Sequence, residues 1–160
     1  MKRVVALIVI LVALCGAAVG QNIALCERTP RVKHIKWLKE HVPPRQAFTY
    51  VEFIHSKSVP CRLSLERIAE EAKGIENLNI IGITKESEEE IDGWLEPFAS
   101  GASGVVLMGE HCFERFGVEY APFGVLIGPR RRAVWFGNPQ RLSNEQIKNL
   151  TKQQSCRSQK

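Results

Sequence analysis

Apolar and polar positions along this chain fall into short blocks of two different periods. Phe48 to Ile54 (Phe-Thr-Tyr-Val-Glu-Phe-Ile) is rich in β-branched and aromatic residues and predicts a buried strand. Ser56 to Pro60 follows as a turn, with Pro60 where the first turn of a helix tolerates proline. Leu63, Leu65, Ile68, Ala69 and Ala72 then recur at helical spacing, so a helix runs to about Lys73 and stops at Gly74. Leu78 to Ile83 is a second buried strand. Ser87 and Glu90 have the spacing of a capping box, and the acids from Glu86 to Asp92 suit a helix start. Ile91, Trp94, Leu95 and Phe98 supply an apolar face, so a second helix is predicted there. Gly104 to Met108 reads as a third strand, and Cys112, Phe113 and Phe116 mark a short helix ended by Gly117. Phe123–Ile127 and Ala133–Phe136 flank a turn at Pro129–Arg132 and form a hairpin. Ser143 caps a last helix through Leu150.

Strands alternating with helices predict βαβ units and an α/β fold. A central mixed sheet is flanked by helices and closed by a C-terminal β-hairpin and helix. One domain is expected over residues 32–152, with residues 21–31 as a polar lead-in and 153–160 as a polar tail. Within it, Val32 to His41 carries Ile35, Trp37 and Leu38 among lysines as a short, partly buried segment, broken by Pro43-Pro44.

Residues 1–20 are set apart by composition. Lys2 and Arg3 precede an apolar run from Val4 to Leu14, and small residues lead to Gly20. That is the pattern of a secretory signal peptide, with cleavage expected after Gly20. The run is too short for a comfortable membrane span, which disfavours an uncleaved anchor. A lipoprotein signal ending at Cys15 is disfavoured because Leu14, a large residue, precedes it. The mature chain is therefore expected in a periplasm or outside the cell, where disulfides persist. Cys26, Cys61, Cys112 and Cys156 remain, and their pairing is open. Their spacing fits no zinc pattern, so no metal is expected. The net charge of +5 is modest, and its only basic run, Arg130-Arg131-Arg132, falls in the hairpin turn. Nucleic-acid binding is unsupported.

Tyr50-Val-Glu-Phe-Ile-His-Ser-Lys-Ser-Val-Pro-Cys61 resembles the strand, turn and helix start of thioredoxin-like proteins. Glu52 and Phe53 fall where that family has a buried acid and an aromatic. Pro60 and Cys61 match the end of its Trp-Cys-Gly-Pro-Cys motif. Phe116-Gly-Val-Glu-Tyr-Ala-Pro122 is similar to the segment whose proline is cis and faces the cysteines, which puts the cis bond at Ala121–Pro122. Ile127-Gly-Pro129 and Val134-Trp-Phe-Gly-Asn-Pro139 resemble the hairpin of the exported TlpA/ResA-type branch. The resemblance implies a thioredoxin-like fold, protein or peptide thiols and disulfides as partners, and no cofactor.

The departures from the family lie at the chemistry. Its attacking cysteine is Ser58 here, its tryptophan Lys57 and its glycine Val59; the hairpin aspartate is Gly128. A dithiol enzyme attacks as a thiolate and resolves the mixed disulfide with its second cysteine, and a serine hydroxyl replaces neither role. The motif Ser58-Val59-Pro60-Cys61 therefore leaves two readings open. In one, Cys61 acts alone, favoured as a thiolate by the helix start, with Glu52 as proton carrier and Pro122 beside it. In the other, Ser58 is a helix cap, Cys61 is a small buried residue, and the chain is a non-catalytic module that binds protein or peptide. A peroxide-reducing thiol is a weaker third reading, since Ile54 stands where that motif has proline. Cys112 is a conceivable partner for Cys61, and a Cys26–Cys156 bridge would clip the ends of the domain.

Overall fold

The computed structural model describes residues 22–38, 47–98 and 103–152. The expected signal segment, the predicted break at Pro43-Pro44, Cys156 and the tail lie outside the described residues. The elements are β1 (Lys36–Trp37), β2 (Phe48–Phe53), α1 (Val59–Ala72), β3 (Leu78–Ile83), β4 (Ser103–Val106), α2 (Glu110–Phe116), β5 (Phe123–Ile127), β6 (Ala133–Gly137) and α3 (Asn144–Lys152). They build a six-stranded sheet in the order β1-β4-β3-β2-β5-β6. β2, β3 and β4 run parallel, while β1, β5 and β6 are antiparallel to their neighbours. This is the mixed sheet with a C-terminal hairpin and helix that the sequence predicts.

Alternation along β2 separates two apolar layers. Val51 and Phe53 face one side, where Phe53 packs against Phe113 and Phe116 of α2 at 4.8 and 5.3 Å between ring centroids. Phe48, Tyr50 and Ile54 face the other side, with Cys61, Leu65 and Ile68 of α1 and Ile147 of α3. Helices thus cover both faces, and each fully buried Phe or Leu side chain stabilises the fold by roughly 1.5–3 kcal/mol.

Two expectations are corrected. No α-helix forms over residues 87–98, although the capping box does: Ser87 N–H donates to Glu90 Oε2 at 2.8 Å, and Glu90 N–H to Ser87 Oγ at 3.4 Å. The chain makes successive bonds to the third residue back, Ile91 to Glu88, Trp94 to Ile91 and Phe98 to Leu95, and ends in a 3₁₀ turn at Glu96–Phe98. Gly93 is left-handed at φ +69°, which breaks the helical ladder between these turns. Ile91 and Phe98 still reach the core. The third strand ends at Val106, and Met108 lies exposed beyond it with φ +47°. The hairpin turn is where the lead-in is fastened. Thr29 N–H donates to the Arg131 carbonyl at 3.0 Å, Arg132 reaches the Cys26 carbonyl, and Arg28 bridges to Arg132. The lead-in is thereby fastened along the start of β6, and its Ile23 joins the core.

Candidate functional site

The site is built where β2 ends and α1 begins. Ser58 has extended backbone (φ −94°, ψ 108°), and its hydroxyl accepts the Cys61 N–H at 3.4 Å, so it is the N-cap of α1. Such a cap contributes about 1 kcal/mol. Val59 opens the helix and Pro60 occupies its first turn, where its missing N–H costs nothing. Cys61 is a free thiol, wholly buried among Tyr50, Ile54 and Leu65. Burial pushes its thiol upward. The Ser58 hydroxyl and the His55 main chain oppose that shift, while the charges of Glu52 and Glu86 add to it, and the net direction is up. Burial therefore disfavours the Cys61 thiolate.

Glu52 lies on the same face of β2 as Tyr50, two residues away, and is fully buried. Tyr50 Oη donates to its Oε2 at 2.8 Å, and Ser64 Oγ donates to its Oε1. Ser64, one turn beyond Cys61, also lies 3.1 Å from the Cys61 carbonyl, an alternative acceptor for its single proton. Burial raises the Glu52 carboxyl to about 7, against the opposing pull of Ser64, Tyr50 and the Arg67 charge. The same burial and the neighbouring Glu52 hold the Tyr50 phenol well above its usual range. Glu52 and Cys61 therefore share one side of the sheet, and Ser64 touches the Glu52 carboxyl and the Cys61 main chain. A carboxyl near neutrality on the same side of the sheet as a thiol has the chemistry to accept its proton.

The Ala121–Pro122 peptide is cis. Phe123 pairs with Phe53, so this bond leaves the sheet at the same end as the motif loop. Ala121 packs into the core layer that holds Cys61. The sequence-predicted residues Glu52, Ser58, Cys61, Ala121 and Pro122 are thus gathered at one end of one face. Cys112 is not among them. It is free and buried in the opposite layer with Phe113, so it forms no bridge with Cys61. Cys26 is disulfide-bonded, with its partner outside the described residues.

Several residues around this site escape sequence reasoning. Tyr50, Ser64 and Arg67 hold or face Glu52. Their signal is periodicity alone, two residues along a strand and three along a helix. Glu86, read from sequence as helix-start acid, instead closes the motif loop. It accepts Ser56 N–H at 2.8 Å, Ser56 Oγ–H and Thr84 Oγ1–H at 2.8 Å, and its Oε1 lies 3.4 Å from His55 Nδ1. Burial pushes its carboxyl up, but these hydrogen bonds and His55 outweigh that, and the net shift is downward.

No protein family and no curated protein matches the chain by sequence. Solved structures do match. The thioredoxin domain of a thiol-disulfide oxidoreductase from Bacteroides vulgatus aligns over 81% of this chain and 99% of its own, with TM-score 0.65 at 13% identity. A thiol:disulfide interchange protein from a Bacteroides species aligns over 84% and 94%, with TM-score 0.65 at 13% identity. A peroxiredoxin-like protein from Aquifex aeolicus aligns over 84% and 89%, with TM-score 0.64 at 14% identity. The chain has the thioredoxin-like fold.

Proposed function

We propose that this is an exported thioredoxin-like protein of the TlpA/ResA type that engages protein or peptide thiols and disulfides through Cys61 alone. The observation that carries the reading is the burial of Cys61 and of Glu52, a carboxyl at about 7, on the same side of the sheet, with Ser64 bonded to that carboxyl and lying against the Cys61 main chain. The step is a single exchange. Glu52 carboxylate takes the thiol proton, the Cys61 sulfur attacks one sulfur of a disulfide, and the other sulfur leaves as a thiolate. Ser58 offers no sulfur to resolve the mixed disulfide, so release needs an external thiol. Cleavage after Gly20 would deliver the mature chain to an oxidising compartment.

One observation favours a second reading. Cys61 has 0% exposure, so a disulfide meets it only after the motif loop opens. A module that binds partners at the cis-proline end without chemistry is consistent with that burial. Mass spectrometry of the protein after incubation with glutathione disulfide separates the two. The redox reading expects one glutathione adduct, on Cys61, absent in Cys61→Ser. No adduct on Cys61 under native conditions overturns it in favour of the binding module.

A further inference from the structure

The His55 ring reaches two partners with one nitrogen. Lys57 N–H lies 3.2 Å from Nδ1 in hydrogen-bonding geometry, and Glu86 Oε1 lies 3.4 Å from the same atom. An imidazole nitrogen carries either a lone pair or a proton. The Lys57 amide needs the lone pair, and the Glu86 carboxylate needs the proton, so the two bonds exclude each other. We propose that His55 and Glu86 are a positioning pair for the Ser58–Cys61 loop, switched by one proton on His55 Nδ1.

Glu86 is fixed without help from His55. Ser56 and Thr84 hold its carboxylate, and Met108 N–H donates to its carbonyl at 3.0 Å. It is an anchored anion on the segment after β3. The His55 main chain also faces the Cys61 thiol on α1 and favours its thiolate. In the neutral state two bonds close the turn: Lys57 N–H to Nδ1, and Ser58 N–H to the His55 carbonyl at 3.0 Å. Lys57 precedes the residue that caps α1, so the first bond sets where the cap stands. In the protonated state Nδ1 donates to Glu86, the Lys57 amide turns to water, and a positive charge stands beside the motif. An imidazole is the side chain able to carry either a lone pair or a proton at one nitrogen in turn, which is what such a switch needs. The device does not depend on Cys61 being redox-active.

Nuclear magnetic resonance of the isotope-labelled full-length chain tests it, following the His55 ring nitrogens and the Lys57 amide from pH 8 to pH 5. Nδ1 is expected to be bare at the alkaline end, and the Lys57 amide shift to move with the same midpoint as the ring. Exchange of that amide, corrected for its intrinsic pH dependence, should rise roughly two- to tenfold at the acid end, the range for losing one hydrogen bond. Glu86→Gln should move the shared midpoint to lower pH. A proton on Nδ1 at the alkaline end, or a Lys57 amide that ignores the ring's titration, overturns the proposal. A shared midpoint unmoved in Glu86→Gln does so too. The titration of the unaltered chain decides the matter even where that variant does not fold.

Discussion

Glu52 is buried near the end of β2 with hydroxyl hydrogen-bond partners, and this gives it a measurable signature. Its folded carboxyl lies at about 7 against a usual 4.5, so the folded state binds the proton more tightly than the unfolded chain. That contribution is complete below pH 4.5 and is lost as pH rises through about 7. At 1.36 kcal/mol per unit the loss is roughly 3 kcal/mol. Glu86 has the opposite sign, its contribution lost on acidification, and so acts in a lower window. Urea unfolding from pH 4.5 to 8 should show wild-type stability falling relative to Glu52→Gln across that interval. Parallel profiles would contradict the burial argument. Ser58 is predicted from its cap geometry alone. Ser58→Ala should cost about 1 kcal/mol by the same measurement, and no change would deny that the hydroxyl caps α1.

At the scale of elements, Gly124 is the least conspicuous part of the site. It pairs with Glu52 across β2 and β5. A Cβ there would meet Tyr50 Oη at 2.6 Å and Trp135 at 3.1 Å. Gly124→Ala should therefore displace the phenol that bonds Glu52 and cost on the order of 1–3 kcal/mol. A denaturation midpoint equal to wild type would refute the close approach. The same scale explains what sequence could show. β2, β3, β5 and α1 were legible because each buries several residues at one unambiguous period. The segment 87–98 was not, because a capping box and apolar residues spaced three and four apart serve consecutive tight turns as well as a helix. Only the left-handed Gly93 decides between them. β1 spans two residues, too few to carry a period. The cis Ala121–Pro122 bond was expected from the resemblance, and Ser58 as a helix cap from its residue type. Glu86 was not, because its partners Ser56 and His55 belong to a loop some thirty residues earlier, joined to it only by the pairing of β2 with β3.

The whole molecule is a thioredoxin-like fold with its N-terminal segment fastened to the edge strand. Cys26 is disulfide-bonded, while Cys61 and Cys112 are thiols buried in opposite layers. Removal of residues 1–20 would take Cys15 with it and leave Cys156 to pair with Cys26. Mass analysis of the mature protein should then find Gln21 at the N-terminus, one Cys26–Cys156 bridge and two thiols. A retained leader would contradict export by cleavage. The central claim is that this scaffold keeps the thioredoxin geometry but has lost the two-cysteine cycle at Ser58. Turnover of a protein disulfide by wild type and by Ser58→Cys tests it most directly. The substitution exchanges oxygen for sulfur at the helix cap, where the dipole lowers a thiol's pKa, two residues from Pro60. Wild type should show little or no turnover, and Ser58→Cys should gain it and bridge its new sulfur to Cys61. Wild-type turnover like that of a two-cysteine relative, or a variant that forms no bridge and gains nothing, would contradict the account.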